Sequence, residues 1–465
     1  MNVSLQWNRI AGEFFSLLAI ALAGCASSPG PKPQNTSVQR LVHELEGEEA
    51  VPGGATSEAP FAGLSLSDYL AEAALNNPGL EAAFNRWKAA LERIPQAMAL
   101  PDPRLTYGYF IQHVETRVGP QNHRVGLSQT LPWFGKLRLA GDRAYAAAAA
   151  AHAEYEAAKR KLFFNVKDVY FELYYLSQAI SITKENIELT KQLEKVAQAK
   201  FRSGSDGTGV IRVQVELGKL EDRLLGLEDL RKPLAAKFNA TLNRSPEAEL
   251  PWPTVFELSG DRGAPDELAA VLRSENPELK ALSAKVSLEA KGIELAKKAV
   301  WPDVSLGVEY VDTGSSRFPG VDGSGRDPLM VSGSINIPLW WGKYRAGVRE
   351  AEARRNIAVR LKEDRENLLI ADLKLVLYEF RDAERKISLF RDVLEPLAEN
   401  SLEVAEQTYV AGRSDFLQLV DAQQLLLDIQ LSYQRAIADR EQRLAKIDML
   451  AGSDLWKIGS LKLAK

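Results

Sequence analysis

Cysteine is almost missing from this chain: Cys25 is the only one in 465 residues, so no intramolecular disulfide can form. Histidine is scarce too, with His43, His113, His123 and His152 scattered along the sequence. Two of these flank a polar stretch, where His113 and His123 could meet and bind a metal or could simply be solvated. Four methionines and one cysteine leave no ladder of soft ligands for copper, and no metal or cofactor site is expected. No His-Glu-x-x-His, Gly-x-Ser-x-Gly or phosphate-loop pattern occurs, so an enzyme is not expected either. An excess of basic charge is also absent: 58 Lys and Arg face 62 Asp and Glu in mixed order, which argues against a nucleic-acid partner. Long apolar runs are lacking, and the one from Phe14 to Ala23 is too short to span a bilayer comfortably.

What is present begins with that run. Arg9 precedes it, as expected of a secretory signal peptide over residues 1–24. It ends in Leu22-Ala23-Gly24-Cys25, which resembles the bacterial lipobox. That resemblance implies a covalent lipid (palmitate among its chains) on Cys25 as the mature N-terminus, and Ala26 after it is compatible with sorting to the outer membrane. Residues 25–60, opening with ASSPGPKPQNTS after the cysteine, read as a flexible tether.

The rest is said twice. Trp133-Phe134-Gly135-Lys136 returns as Trp340-Trp341-Gly342-Lys343, and Asn77-Pro78 returns as Asn276-Pro277. Pro101-Asp102 likewise returns as Pro302-Asp303, the offset growing from 199 through 201 to 207. Three landmarks in one order indicate two structural repeats, 61–255 and 256–458, with a tail at 459–465. After each Pro-Asp the apolar period becomes two, as in Leu105, Tyr107, Tyr109, Ile111 and in Val304, Leu306, Val308, Tyr310. Each repeat therefore holds a strand hairpin, over 103–132 and 303–339, with polar loops at 115–123 and 312–328. Such strands fit either a transmembrane barrel or the edge of a soluble sandwich. Four strands are too few to close a membrane barrel, so a barrel requires several copies of the chain.

Between the hairpins the period is helical. No proline interrupts 136–201, and Leu162, Val166, Val169, Leu173, Leu176 and Ile180 form a seam of coiled-coil spacing. Val376, Phe380, Ala383, Ile387, Phe390, Leu394 and Leu397 do the same in the second repeat, where Pro396 should place a joint. The long helices should stop at Gly204 and Gly412, in the left-handed conformation of a helix end, and a second helix should return from each.

The order of these elements, with the tip YVAGRSDFLQLVDAQ, resembles the TolC family of outer-membrane efflux channels, including its lipoprotein branch. The resemblance covers the chain from about residue 61 and implies a mainly α fold with a small β part. It implies a homotrimer, with four strands per chain in a 12-stranded barrel and a helical periplasmic tunnel in an outer membrane whose lipid surrounds it. The tip would meet a periplasmic adaptor and an inner-membrane pump, and the channel would be the passive exit duct of a tripartite efflux system. Asp421 matches the acidic ring of the family's gate, whereas Gln418 stands where a second acid is usual and Asp415 or Asp206 could replace it. Arg413 and Ser414 could hold the closed tip by bonds between helices. Trp133, Phe134, Trp340 and Trp341 either lie at the membrane interface or cap the interior, with Lys136 and Lys343 reaching headgroups or water. The rival is a lipid-anchored coiled-coil adaptor, which would carry a lipoyl-like insert and no duplicated strand pairs.

Overall fold

The computed structural model describes residues 65–204, 207–253 and 265–452, so Cys25, the tether, Asp206 and the C-terminal tail lie outside the described residues. The chain divides into a strand unit (92–141 and 301–339) and a helical unit built from the remaining described residues. Among the described residues no helix is long and apolar enough to cross a membrane.

Two rounds of the same order account for the elements. The first runs α1 (Leu66–Asn76), α2 (Pro78–Leu91), α3 (Arg93–Met98), β1 (Arg104–Thr116), β2 (Gly119–Leu131), α4 (Lys136–Arg202) and α5 (Thr208–Thr241). The second runs α6 (Pro265–Glu275), α7 (Pro277–Lys298), β3 (Val304–Thr313), β4 (Leu329–Ile335), α8 (Trp341–Leu389), a π-helical segment (Phe390–Leu394), α9 (Glu395–Val410) and α10 (Phe416–Ala451). At 67 residues α4 measures about 100 Å.

The Asn-Pro landmarks have a physical role that is the same in both halves. Asn77 Oδ1 accepts from Leu80 N at 3.0 Å while its Nδ2 donates to Thr241 O at 3.0 Å. Asn276 Oδ1 accepts from Leu279 N at 3.1 Å while its Nδ2 donates to Leu450 O at 2.8 Å. Each asparagine thus caps its own helix and fastens the end of the returning helix of its repeat; proline follows because the first helical turn needs no N–H there.

In the strand unit the order is β1-β2-β3-β4, all antiparallel. Rows across the sheet are uniform in character. Leu105, Leu127, Val308 and Val331 are mutual neighbours in one row, and Tyr107, Val125, Tyr310 and Leu329 in another. Beside the first of these runs a polar row of Arg104, Ser128, Gly307 and Ser332 on the opposite face. The apolar face is exposed in the single chain, including Leu105, Tyr107, Leu306 and Val331.

The first hairpin corrects the expected loop at 115–123. Thr116 pairs with Gly119, leaving a two-residue turn at Arg117-Val118, and Gly119 takes φ of +138° to close it. The polar residues that suggested a loop are strand residues with partners: Asn122 Nδ2 donates to Asp312 Oδ2 at 3.0 Å. β4 ends at Ile335, short of the expected 339, and Pro338 follows.

In the helical unit each half has its own core. Leu162, Val166, Val169 and Leu173 of α4 pack with Tyr69, Leu80, Phe238 and Leu242. Leu369, Leu373, Val376 and Phe380 of α8 pack with Leu268, Leu279, Leu444 and Ile447. The second seam departs from its expected course after Ile387: Leu397 is exposed and Ala398, Leu402 and Tyr409 are buried instead. The cause is the π-helical segment just before Pro396, which inserts one residue and turns the buried stripe by one position.

Candidate functional site

Two places carry the motifs singled out by sequence: the tip turns of the helical unit and the strand-to-helix junctions.

At the second tip the helix stop is a Schellman motif. Gly412 N donates to Tyr409 O at 3.0 Å and Arg413 N to Thr408 O at 2.9 Å, with Gly412 at φ +74°. At the first tip Gly204 has φ +98° and donates to Phe201 O at 3.0 Å. Tyr409 is buried beneath the turn, edge-on to Phe416 with centroids 5.2 Å apart. Lys200 of α4 lays its ammonium 3.7 Å from the Tyr409 ring and donates to Tyr409 O, which joins the first long helix to the second tip. Burial raises the Tyr409 hydroxyl pKa, and the charge of Asp415 adds to the effect.

Asp421 is exposed on α10, one turn beyond exposed Gln418, while Leu419, Ala422 and Gln423 face inward. Asp415 stands at the helix start with an extended backbone and is exposed, without capping the helix through its side chain. Among the described residues Arg413 and Ser414 do not make the expected helix-to-helix bonds: the Ser414 hydroxyl is buried with no hydrogen-bond partner there, and the Arg413 side chain is exposed.

Sequence reasoning missed a polar rivet two residues from Asp421. Gln423 Nε2 donates to Thr190 Oγ1 at 2.6 Å and to Asn186 O at 3.3 Å, deep between α10 and α4. The signal was there as Thr183, Asn186 and Thr190, buried polar residues in an otherwise apolar stretch of α4. A second missed group lies farther along the same helix pair, where Arg435 binds Glu172 at 2.8 Å and Asp439 at 2.6 Å and Gln442 reaches Asp168 O at 2.9 Å.

The junctions share one turn. Lys136 N donates to Trp133 O and Lys343 N to Trp340 O, each at 3.0 Å. Gly135 precedes α4 with φ +85°, whereas Gly342 falls inside the first turn of α8, so only the first glycine is needed for its conformation. Trp133 stacks on Trp301 at 5.3 Å and 13°, which makes it a packing residue; Phe134, Trp340 and Trp341 are exposed. Lys136 departs from expectation. Instead of reaching outward, its ammonium donates to Asp303 Oδ1 at 2.7 Å and to Trp301 O at 2.8 Å, closing the end of the sheet. Burial pushes the Asp303 carboxyl up, but Lys136 and the Trp133 N–H outweigh it and hold it below the usual carboxylate range. Lys343 remains exposed, 5.9 Å from the ring of its neighbour Tyr344.

The two hairpin histidines are occupied by local contacts: His123 Nδ1 is 2.8 Å from Tyr107 Oη, and His113 Nδ1 is 3.3 Å from Gln121 O. Among the described residues no cluster of His, Cys, Asp and Glu could hold a metal ion.

Comparison with known proteins agrees with this geometry. The model of the outer membrane efflux protein family matches residues 69–211 and 268–453, which takes in both repeats. The pyoverdine export outer membrane protein OpmQ of Pseudomonas putida is 25% identical, with 84% of each chain covered. Nodulation protein T of Rhizobium leguminosarum bv. trifolii is 22% identical over 97% of this chain and 98% of its own. The outer membrane protein VceC of Vibrio cholerae superposes with a TM-score of 0.70 at 19% identity, covering 83% of this chain and 96% of its own. The chain belongs to the outer membrane efflux protein family.

Proposed function

We propose that this outer-membrane efflux channel works as a homotrimer whose twelve strands form one barrel, held to the membrane additionally by lipid on Cys25. The chain is an exit duct: its strands serve the outer membrane and its long helices the periplasm. The observation that carries the trimeric reading is the sheet itself. Its four strands have one exposed apolar face and two unpaired edges, and an open edge in hydrocarbon leaves backbone groups without partners. Exposed Phe134, Trp340 and Trp341 suit the membrane interface. The adaptor reading has no use for these paired strands.

The tip is the proposed gate, and the surface offered to a periplasmic adaptor and an inner-membrane pump that supplies the energy. Threefold symmetry would gather three exposed Asp421 carboxylates, which repel one another unless water or cations lie between them. With Gln418 in place of a second acid, a single carboxylate ring is the reading supported here, with Asp415 in the adjoining turn.

Single-channel recording in planar bilayers tests this reading, combined with the native mass of the detergent-solubilised protein. The expected result is a trimer mass and small cation-selective steps blocked by divalent cations, with selectivity and block lost in Asp421→Ala. A monomer mass without conductance steps overturns the trimeric channel. Steps identical in the two proteins keep the channel and remove Asp421 from the gate.

A further inference from the structure

The cations that open α8 have no carboxylate partner in their own chain. Only residues 336–340 separate the end of β4 from this helix, so its first turns start at the membrane surface that β4 leaves. Trp340 and Trp341 are exposed there, and Lys343, Arg345 and Arg349 follow, all three exposed. Among the described residues no ion pair engages these cations, whereas Arg354 and Arg360 farther along the helix bind Glu350 and Glu363. The charge is also placed against the helix. The first turn of α8 contains no acid, although the positive end of a helix dipole favours anions beside it.

Resting on the reading that Trp340 and Trp341 lie at the membrane interface, we propose that Arg345 and Arg349, with Lys343 beside them, bind the headgroup phosphate of an anionic phospholipid in the inner leaflet. Trp341, Arg345 and Arg349 stand one turn apart on one face, so the two arginines are rooted about 6 and 12 Å beyond the tryptophan. Side chains on a helix lean toward its N-terminus, which here is the membrane end, so both guanidinium groups reach back toward the headgroups. Each can donate a pair of N–H bonds to phosphate oxygens. The next acid on this face, Glu352, is a further turn from the membrane.

The same face is left free by the rest of the helix. Tyr344, Val348 and Ala351 are half-buried on its packed side. The exposed apolar track of Leu361, Leu368 and Leu375 runs back by heptads to Gly347. Arg345 and Arg349 each lie two residues from Gly347, about 160° around the helix from that track. A tryptophan heading the cationic face suits a lipid surface better than a water-filled lumen. The duplication shows that the junction turn itself does not require these cations. At the offset of 207, Lys136, Arg138 and Asp142 stand where Lys343, Arg345 and Arg349 do. Lys136 is bound by Asp303, and Asp142 would repel a phosphate, so the site belongs to the second junction alone.

Native mass spectrometry of the detergent-solubilised full chain, titrated with phosphatidylglycerol or phosphatidylethanolamine, tests the site. Phosphatidylglycerol adducts should form at the lower lipid concentration, and excess inorganic phosphate should not displace them. Arg345→Gln with Arg349→Gln should weaken these adducts about 30-fold and leave those of phosphatidylethanolamine unchanged. Arg360→Gln with Arg385→Gln removes the same charge farther along α8 and should have little effect. No preference for phosphatidylglycerol, displacement by phosphate, or an equal loss in the two double variants overturns the proposal. The interface reading is measured separately, by brominated-lipid quenching of tryptophan emission in vesicles of the unaltered chain and of Trp340→Phe with Trp341→Phe. Quenchable emission that falls in that variant, without a lipid preference, overturns the site and keeps the interface. Emission quenched equally in both proteins overturns the interface reading and the site with it.

Discussion

The rivet of Gln423, Thr190 and Asn186 permits a prediction whose size depends on which partner is removed. Gln423 is 3% exposed and Thr190 1% exposed, so neither side chain can turn to water. Thr190 Oγ1 accepts from Gln423 at 2.6 Å and donates to Asn186 O at 2.7 Å. Thr190→Val removes the near acceptor and leaves the Gln423 amide with only the 3.3 Å contact to Asn186 O. A buried donor stripped of its partner costs about 1–3 kcal/mol. Gln423→Leu is milder: Thr190 Oγ1 and Asn186 O lose the Gln423 donor but stay bonded to each other, no buried donor loses its acceptor, and the loss is about 1 kcal/mol or less. The double variant replaces both ends with apolar groups and should recover about 1–2 kcal/mol relative to the sum of the singles. Hydrogen exchange of α4 and α10 peptides around these residues reads the local opening directly, and about 2 kcal/mol corresponds to about 30-fold faster exchange in Thr190→Val. Exchange in the double variant equal to the product of the single effects would refute the coupling. So would a Thr190→Val protein that exchanges no faster than the unaltered chain.

Other outcomes follow from single groups. Lys136→Met should lower the thermal midpoint in detergent at neutral pH by the equivalent of about 1 kcal/mol, since the partly exposed Asp303 softens the loss. Because the folded Asp303 carboxyl is held below its ordinary value, the contribution is complete above that value and disappears as pH falls through the lowered one; the two proteins should converge in acid. Glu395 behaves oppositely: burial, then Glu399, raises its carboxyl, so ionisation penalises the fold as pH rises. Glu395→Gln should therefore raise the midpoint at pH 8 and leave it unchanged at pH 4. Gly412→Ala meets no atom within 4 Å and bears only the cost of φ +74°, about 1–2 kcal/mol. Gly452→Ala has a similar φ, +72°, but its Cβ would lie 2.6 Å from Glu275 O, so its yield of folded protein should fall far below that of Gly412→Ala.

Periodicity made the repeats, the two hairpins and the long helices readable, because one-sided burial imposes a period of two on strands and near 3.5 on packed helices. Glycine stops were readable for the same kind of reason: Gly204 and Gly412 occupy a conformation that other residues avoid. What escaped depended on partners distant in sequence. Lys136 looked like an interfacial cation until Asp303, 167 residues away, was seen to bind it. The polar run after Val118 looked like a loop because its compensation comes from across the strands, as Asn122 finds in Asp312. Gln423 is the last residue of the tip motif, yet its importance lies in Thr190, on the other half of the duplication.

The π-helical segment shows how a local irregularity keeps a long repeat in phase. Along α8 the exposed apolar residues Leu361, Leu368, Leu375 and Leu389 fall on one heptad track, with Asp382 on the same track held by Arg385 and Lys386. After the segment the track resumes at Leu397 and Val404, eight residues beyond Leu389 instead of seven. The buried track slips by the same single residue, from Ala383 and Ile387 to Ala398 and Leu402. One inserted residue therefore moves both stripes together, so the helix keeps one face to α10 and one face outward across the joint. A proline alone would bend the helix without correcting its phase. An outward apolar stripe on so long a helix has no purpose for an isolated chain in water, and its preservation on both sides of Pro396 is what the proposed trimer would require. The strand edges and the helix stripe thus make the same demand from opposite physical causes: unpaired backbone in the sheet, and uncovered side chains in the helices.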